Sequence, residues 1–198
     1  MPNHFRAVQQ AWDWAWVHGF RRIGLALFDE PGAIDVQDRT AAFLERQQHA
    51  AAEQRVPMLA VMPWMRDDVP FQPGRIPYSD AVARMRAWIR AERPEIVLGF
   101  NDIFRWLLRD AEKRMSHPTA FIDLWIGTPD PALTGLRLYA DELGRRAVDW
   151  LDSLLRMGEH GVPEQPATME IDFVWQDGAA LPHLARQSHT TPFQRNSP

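Results

Sequence analysis

The chain has 198 residues, 45% of them hydrophobic, with 22 Lys+Arg against 26 Asp+Glu and a formal net charge of −4. That apolar content supports a real core and excludes a wholly disordered chain, while the interspersed charges form no basic stripe suited to nucleic acid. The chain has no cysteine, which excludes disulfides, thiolate catalysis and Cys-based zinc sites, and it shows neither a membrane-length apolar run nor a signal-peptide core, which points to a soluble, cytoplasmic chain with no membrane partner.

The apolar pattern alternates between helical and strand periods. Phe5 to His18 reads as a helix, with Phe5, Val8, Trp12, Ala15 and Trp16 in one stripe and Gly19 as its stop. Ile23 to Phe28 is a short apolar strand, followed by a loop at Asp29–Gly32 and a helix from about Asp35 to Glu53 with Val36, Phe43 and Leu44 inward. Met58 to Met62 is the next strand. Residues 63–77, with four prolines and one glycine, read as a long irregular loop of the kind that is functional or disordered in compact domains. A helix over Ser79–Arg93 turns Ala81, Met85, Trp88 and Ile89 inward. The strand Ile96–Phe100 leads into a helix from near Ile103, with Phe104, Leu107, Leu108, Ala111 and Met115 at helical spacing, and Thr119–Leu124 is the fourth strand.

This beat predicts an α/β fold, a doubly wound parallel sheet with right-handed crossovers and helices on both faces. The remainder differs in style. Leu133–Leu138 reads as a short strand, and Asp141–Met157 as an amphipathic helix bearing Leu143, Ala147, Trp150, Leu151, Leu154 and Leu155. Met169–Trp175 alternates strictly, as a half-buried strand would. From Gln176 the chain reads as a frayed tail.

Several chemistries are missing. There is no phosphate-binding glycine loop and no nucleophile elbow. His4, His18, His49, His117, His160, His183 and His189 are scattered without metal-ligand spacing and read as solvated surface residues. The carboxylate pair Asp67–Asp68 in the long loop has two readings, a cation site and, favoured over it, solvated loop charges. No nucleophile, base and orienting group assemble, so the expectation is a non-enzyme without cofactor or metal.

Three polar residues fall at or just beyond the carboxyl ends of the expected strands, where open α/β sheets put their ligands. Arg39 lies near the start of the helix after the first strand, Asn101 ends the third, and Asp123 ends the fourth. A guanidinium, a carboxamide and a carboxylate on one rim suit neighbouring hydroxyls. Singly, each has a plainer reading: Arg39 as a surface helix residue, Asp123 as a strand-end polar residue, and Asn101 or Asp102 as a helix cap. Trp64 and Trp125 stand just past strand ends and serve either as stacking walls for a ligand or as loop plugs.

In order, the motifs resemble the effector-binding part of LacI/GalR-type transcription regulators. G-F-R-R-I-G (Gly19–Gly24) is similar to the family's G-H-R-R-I-G, and D-R-T-A-A-F (Asp38–Phe43) to its R-x-x-G-F. F-N-D (Phe100–Asp102) looks like A-N-D, and F-I-D (Phe121–Asp123) looks like G-F-D-D. Pro131–Thr134 with Glu142–Ala147 resembles P-x-L-T-T-V…E-L-G-R-R-A, and F-V-W-Q-D-G (Phe173–Gly178) resembles L-V-x-R-x-S-x-G. The departures are Phe20 for His, Leu124 for the second Asp, a shortened Met115–Pro118 segment, and the long 63–77 loop.

The resemblance covers residues 4–178 and implies a type I periplasmic-binding-protein-like fold. Residues 1–130 would form the second, effector-binding lobe. Residues 131–178 would be a crossover strand, helix and final strand belonging partly to a first lobe, and 179–198 a disordered tail. It implies that Arg39, Asn101 and Asp123 contact a small-molecule effector, a sugar or related polyol or else a nucleobase, with Trp64 and Trp125 beside them. It also implies a homodimer whose DNA contacts come only from N-terminal sequence outside this chain. The competing readings are a solute-binding protein of a sugar transporter, which needs a secretory signal, and an α/β enzyme, which needs the constellation that is missing.

Overall fold

Residues 1–30, 32–68, 70, 72–113, 115, 118–159, 161, 165 and 167–179 are described by a computed structural model. Its centre is a six-stranded sheet of β1 (Ile23–Phe28), β2 (Leu59–Val61), β5 (Ile96–Gly99), β6 (Ala120–Ile126), β7 (Gly135–Arg137) and β8 (Val174–Gln176). The spatial order is β2-β1-β5-β6-β7-β8, with every pair parallel except β7–β8. The four strands expected over residues 20–124 are therefore present and parallel, and β5 lies inside the sheet. The chain leaves β1 for β2 on one side and returns for β5 on the other, so the direction of winding reverses between β1 and β5. Ligands of open α/β sheets bind at such reversals.

Two helices cover each face. Helices α1 (His4–Val17) and α2 (Ile34–Gln48) enclose one core with Ile23, Leu25, Leu27, Ile96, Leu98, Ile122 and Leu124. Helices α3 (Tyr78–Glu92) and α4 (Asn101–Glu112) enclose the other with Ala26, Val97 and Val61. Alternate residues of one strand thus feed opposite cores, which is why these strands read as unbroken apolar runs. Gly24 serves this packing. A Cβ there would come within 2.5 Å of the Trp88 ring, so glycine lets that indole lie across β1, where its Nε1–H donates to Pro57 O at 2.8 Å.

The α3 face matches the expected stripe: Ala81, Met85, Trp88 and Ile89 are its buried residues. α2 departs from expectation in two ways. It stops at Gln48 rather than Glu53, because the buried Gln47 side chain donates to Val56 O and folds the chain back, with only a short 3-10 turn at Ala52–Gln54. Leu44 is 50% exposed, because the buried stripe of α2 runs through Arg39, Ala42, Phe43 and Gln47, a helical step away from it. α4 ends at Glu112, short of Met115, which is half-buried beyond it.

The 63–77 segment is more ordered than its prolines suggest. β3 (Trp64–Met65) and β4 (Ile76–Pro77) pair in parallel, and Asp67 Oδ1 accepts the backbone N–H of Ser79 at 3.1 Å, satisfying an orphan donor of α3. Asp67 is thus a cap rather than a free loop charge, while Arg66 grips Asp68 through two bonds. Val69 and Phe71 lie outside the described residues.

The strand expected over Met169–Trp175 is a ladder only at Val174–Gln176, antiparallel to β7. The inward–outward alternation still holds: Met169 and Ile171 are half-buried, Phe173 is 5% exposed, and Glu170, Asp172 and Val174 face out. Among the described residues, 169–173 have a sheet neighbour only at Ile171, which bridges Pro2. The amphipathic helix appears as α5 (Ala140–Arg156), and no residue of it is buried. The expected tail lies outside the described residues from residue 180 onward, as do Ser116, His117, His160, His183 and His189. Among the described residues no helix is long and apolar enough to cross a membrane.

Candidate ligand-binding site

Asp123 sits on β6 at the carboxyl edge of the sheet and is 1% exposed. Its Oδ1 accepts the backbone N–H groups of Asn101 at 3.0 Å and Trp125 at 2.8 Å. Its Oδ2 is buried with no hydrogen-bond partner among the described residues. Burial pushes this carboxyl up to about 6, against the pull of those two N–H groups. A dry acceptor left unpaired is costly, so Oδ2 favours any donor that reaches it. Gly135 holds the position from β7: it pairs with Asp123, and a Cβ on it would lie 2.0 Å from Asp123 O.

Asn101 follows β5 and adopts φ 60, a left-handed conformation that Asn tolerates better than most residues. Its Oδ1 accepts the N–H of Ile103 at 2.8 Å. That bond fixes the orientation of the carboxamide, and its Nδ2 makes no hydrogen bond among the described residues. The cap of α4 is therefore shared by Asn101 and Asp123. Asp102, the other capping candidate, instead pairs with Arg105 at 2.9 Å.

Asn101, Asp123 and Trp125 line one cleft of about 300 Å³, with Ile103, Thr128 and Leu133 among its walls. Arg39 does not line it. The Arg39 guanidinium is 1% exposed and lies 4.3 Å above the Phe100 ring, one aromatic layer behind the cleft. It does not pair with Asp123. Its Nη1 donates to Asp35 at 2.5 Å and its Nη2 to His4 Nδ1 at 2.9 Å. Phe100 in turn meets Trp125 edge-on at 5.8 Å. Trp64 lies on the other face of the sheet, packed on Phe28, Tyr78 and Phe104, and so serves as a plug of the α3–α4 core. Of the five residues expected on the rim, the structure brings together three, holds Arg39 just behind them, and separates Trp64.

Sequence reasoning missed His4. It reads as a solvated histidine, yet it is 7% exposed, stacked on Trp125 at 6.0 Å and packed against Phe173 at 5.7 Å. The signal was its spacing: His4 lies on the same helical stripe as Val8, Ala11 and Trp12. Burial and the Arg39 charge lower its pKa to about 4, so it is neutral. A larger cavity, about 710 Å³, opens at the amino edge between Phe20, Ile89, Arg93 and Pro118, and it contains none of these residues.

No protein-family profile and no curated protein matches the sequence. Solved structures do match the fold. The chain is similar to a protein assigned to the LacI family of transcriptional regulators from Rhizobium etli, at 16% identity over 91% of this chain and 63% of that one, with a TM-score of 0.66. It is similar to a LacI-family transcriptional regulator from Enterococcus faecium with bound ribose, at 14% identity over 89% and 62%, TM-score 0.59. It is also similar to a LacI-family transcriptional regulator from Arthrobacter in complex with lactose, at 16% identity over 90% and 64%, TM-score 0.61. The chain therefore has the α/β fold of these regulator structures and spans 62–64% of their length.

Proposed function

We propose that the chain is the effector-binding portion of a LacI-type transcription regulator and that its cleft takes a sugar or related polyol. The observation that carries this reading is that two residues lining one cleft each keep an unengaged group: the buried Asp123 Oδ2 acceptor and the Asn101 Nδ2 donor. A carbohydrate hydroxyl is both donor and acceptor, so neighbouring hydroxyls satisfy both groups at once. Trp125 adds an indole suited to the apolar face of a pyranose or furanose ring. The fold supports the reading, since two of the similar regulators hold ribose and lactose.

On this reading the chain acts by binding rather than catalysis. Residues 1–130 form the effector lobe and 131–178 connect to another lobe. DNA is engaged only through sequence outside these residues, within a homodimer. The apolar stripe of α5, unburied among the described residues, suits a helix that packs against that other lobe.

Calorimetric titration with ribose, lactose and a panel of polyols tests the proposal, with Asp123→Asn as the control. Saturable binding weakened at least about tenfold by Asp123→Asn is expected, for loss of a charged hydrogen-bond acceptor. Absence of binding at millimolar sugar, or binding indifferent to Asp123→Asn, sinks it.

A further inference from the structure

The buried pair of His4 and Arg39 has a local geometry that the cleft residues alone do not explain. Arg39 carries only donors, so the 2.9 Å contact makes His4 Nδ1 the acceptor and puts the imidazole proton on Nε2. The ring is then a neutral acceptor for a buried cation, which agrees with its lowered pKa. Both partners also touch the aromatic residues that flank the polar pair. The Arg39 guanidinium carbon lies 4.3 Å over the ring of Phe100, the residue immediately before Asn101. The His4 ring stacks on Trp125, two residues after Asp123, with an interplanar angle of 21°. Phe100 and Trp125 touch each other, so the four side chains close a ring behind the cleft. Phe173, brought in by the pairing of residues 1–3 with Ile171, packs on His4 and Trp125 together.

We propose that His4 and Arg39 act as one positioning unit for the cleft, an inference that rests on the effector-site reading. The His4–Arg39 hydrogen bond fixes the guanidinium over Phe100 and the imidazole against Trp125, so the first residue of α1 sets the orientation of the stacking wall without touching the ligand. Asp35 alone does not suffice. It holds Nη1 from within the same helix, whereas His4 joins α1 to α2 and to Trp125 of β6. The arrangement gives the acceptor and the ring face separate tasks, and substitutions separate them. His4→Gln keeps an acceptor and loses the ring, while His4→Phe keeps the ring and loses the acceptor.

The test uses the full chain with ribose and lactose as probes, together with NMR of the Arg39 guanidinium protons and the Trp125 indole N–H. His4→Phe is expected to weaken sugar binding about tenfold, as for an orphaned buried donor, while His4→Gln stays within about threefold of wild type. Guanidinium exchange should accelerate in His4→Phe but not in His4→Gln, whereas the Trp125 indole resonance should shift in both, since each replaces the imidazole stacked on it. Arg39→Lys, which keeps the charge but not the planar fork, should reproduce the binding loss, and it serves as the second variant if His4→Phe does not fold. Equal sugar affinity in wild type, His4→Phe and Arg39→Lys overturns the proposal. If the wild type binds neither sugar, the effector reading fails on its own. Unaltered exchange and an unmoved Trp125 resonance in the variants then overturn the positioning unit as well, whereas the expected changes sustain it.

Discussion

The Asp123 carboxylate on β6 accepts the backbone N–H of Asn101, 22 residues earlier in the chain, at 3.0 Å. One oxygen therefore ties β6 to the first turn of the helix that leaves its neighbour, while the other is buried without a partner in a residue that lines the cleft. The same contact holds Asn101 in its left-handed conformation. Strand-edge chemistry, helix capping and the candidate ligand site are thus one structure, and single substitutions separate its parts.

Asn101, not Asp102, carries the capping energy of α4. Asn101→Ala loses the bond to Ile103 and places an alanine at φ 60, for a cost of about 2 kcal/mol. Asn101→Gly tolerates the backbone and should cost roughly 0.5 kcal/mol. Asp102→Ala removes only a surface ion pair with Arg105 and should stay within about 0.5 kcal/mol of wild type. Urea midpoints of the three variants check the ordering, and a larger loss in Asp102→Ala than in Asn101→Ala would reverse the assignment.

The pH dependence of stability should show two opposed contributions. Asp123 has a folded pKa near 6, above its ordinary value of 3.8, so the folded state holds that proton more tightly. Its contribution is full below about pH 4 and is lost as pH rises through 6. His4 has a folded pKa near 4, below its ordinary 6.5, so its contribution is full above 6.5 and is lost as pH falls toward 4. Each amounts to roughly 3 kcal/mol, and between pH 4 and 6 they largely cancel. Asp123→Asn should unmask the His4 limb, giving a variant that gains stability steadily from pH 4 to 6.5, while His4→Gln should show the opposite slope. Denaturation midpoints across that range measure both, and parallel pH profiles in the two variants would contradict the assignment.

Gly135→Ala should be among the most damaging single methyl additions. The residue has φ 156, and its Cβ would fall 2.0 Å from the carbonyl oxygen of Asp123. Backbone atoms on both sides leave no flexible side chain to yield, so β7 must move away from β6 at a cost of about 3 kcal/mol. The displacement would also free the Asp123 backbone, whose N–H donates to Thr134 O at 3.0 Å. Thermal unfolding of the variant measures the cost, and a loss under about 1 kcal/mol would show that the strands separate easily.

Where the sequence was legible, a single period decided the matter. β1, β2, β5 and β6 are short apolar runs bounded by polar residues, and the α3 stripe was read residue by residue. The errors have physical causes that lie outside any local window. The end of α2 is set by a Gln47 bond to a carbonyl nine residues on. Leu44 was misplaced because Arg39 fills the buried stripe that an apolar side chain was expected to fill. Asn101, Asp123 and Trp125 were placed on one edge by strand ends alone. The inward turn of Arg39 depends on His4 and Asp35, and a partner 35 residues away leaves no mark on periodicity. Trp64 and Trp125 are both expected just past strand ends, yet Trp64 opens β3 and Trp125 lies within β6. Trp64 pairs with Ile76 of β4 and packs on Phe28, Tyr78 and Phe104, whereas Trp125 packs on His4, Phe100 and Phe173, and these partners lie outside any local window.

Helix α5 has a strong amphipathic pattern, yet its apolar stripe reaches no core among the described residues. Leu151 is 57% and Leu155 53% exposed, and the helix has no buried residue. Hydrophobic side chains left in water contribute little to folding, because stabilisation follows the apolar area removed from it. Leu151→Glu and Leu155→Glu should therefore each change stability by no more than about 0.5 kcal/mol. By contrast Leu107, fully buried in α4, should cost roughly 2–5 kcal/mol when changed to Ala. The exposed stripe should instead show itself in association. Val148, Leu151, Leu155 and Met157 add apolar area on one exposed helix, which favours contact with another lobe or another chain. Sedimentation of the wild type should accordingly depend on concentration, and the double variant Leu151→Glu with Leu155→Glu should sediment as a monomer with less binding of a hydrophobic dye. A wild-type chain that stays monomeric and dye-free across the same range, or a double variant that unfolds, would mean that this face is covered by the chain itself.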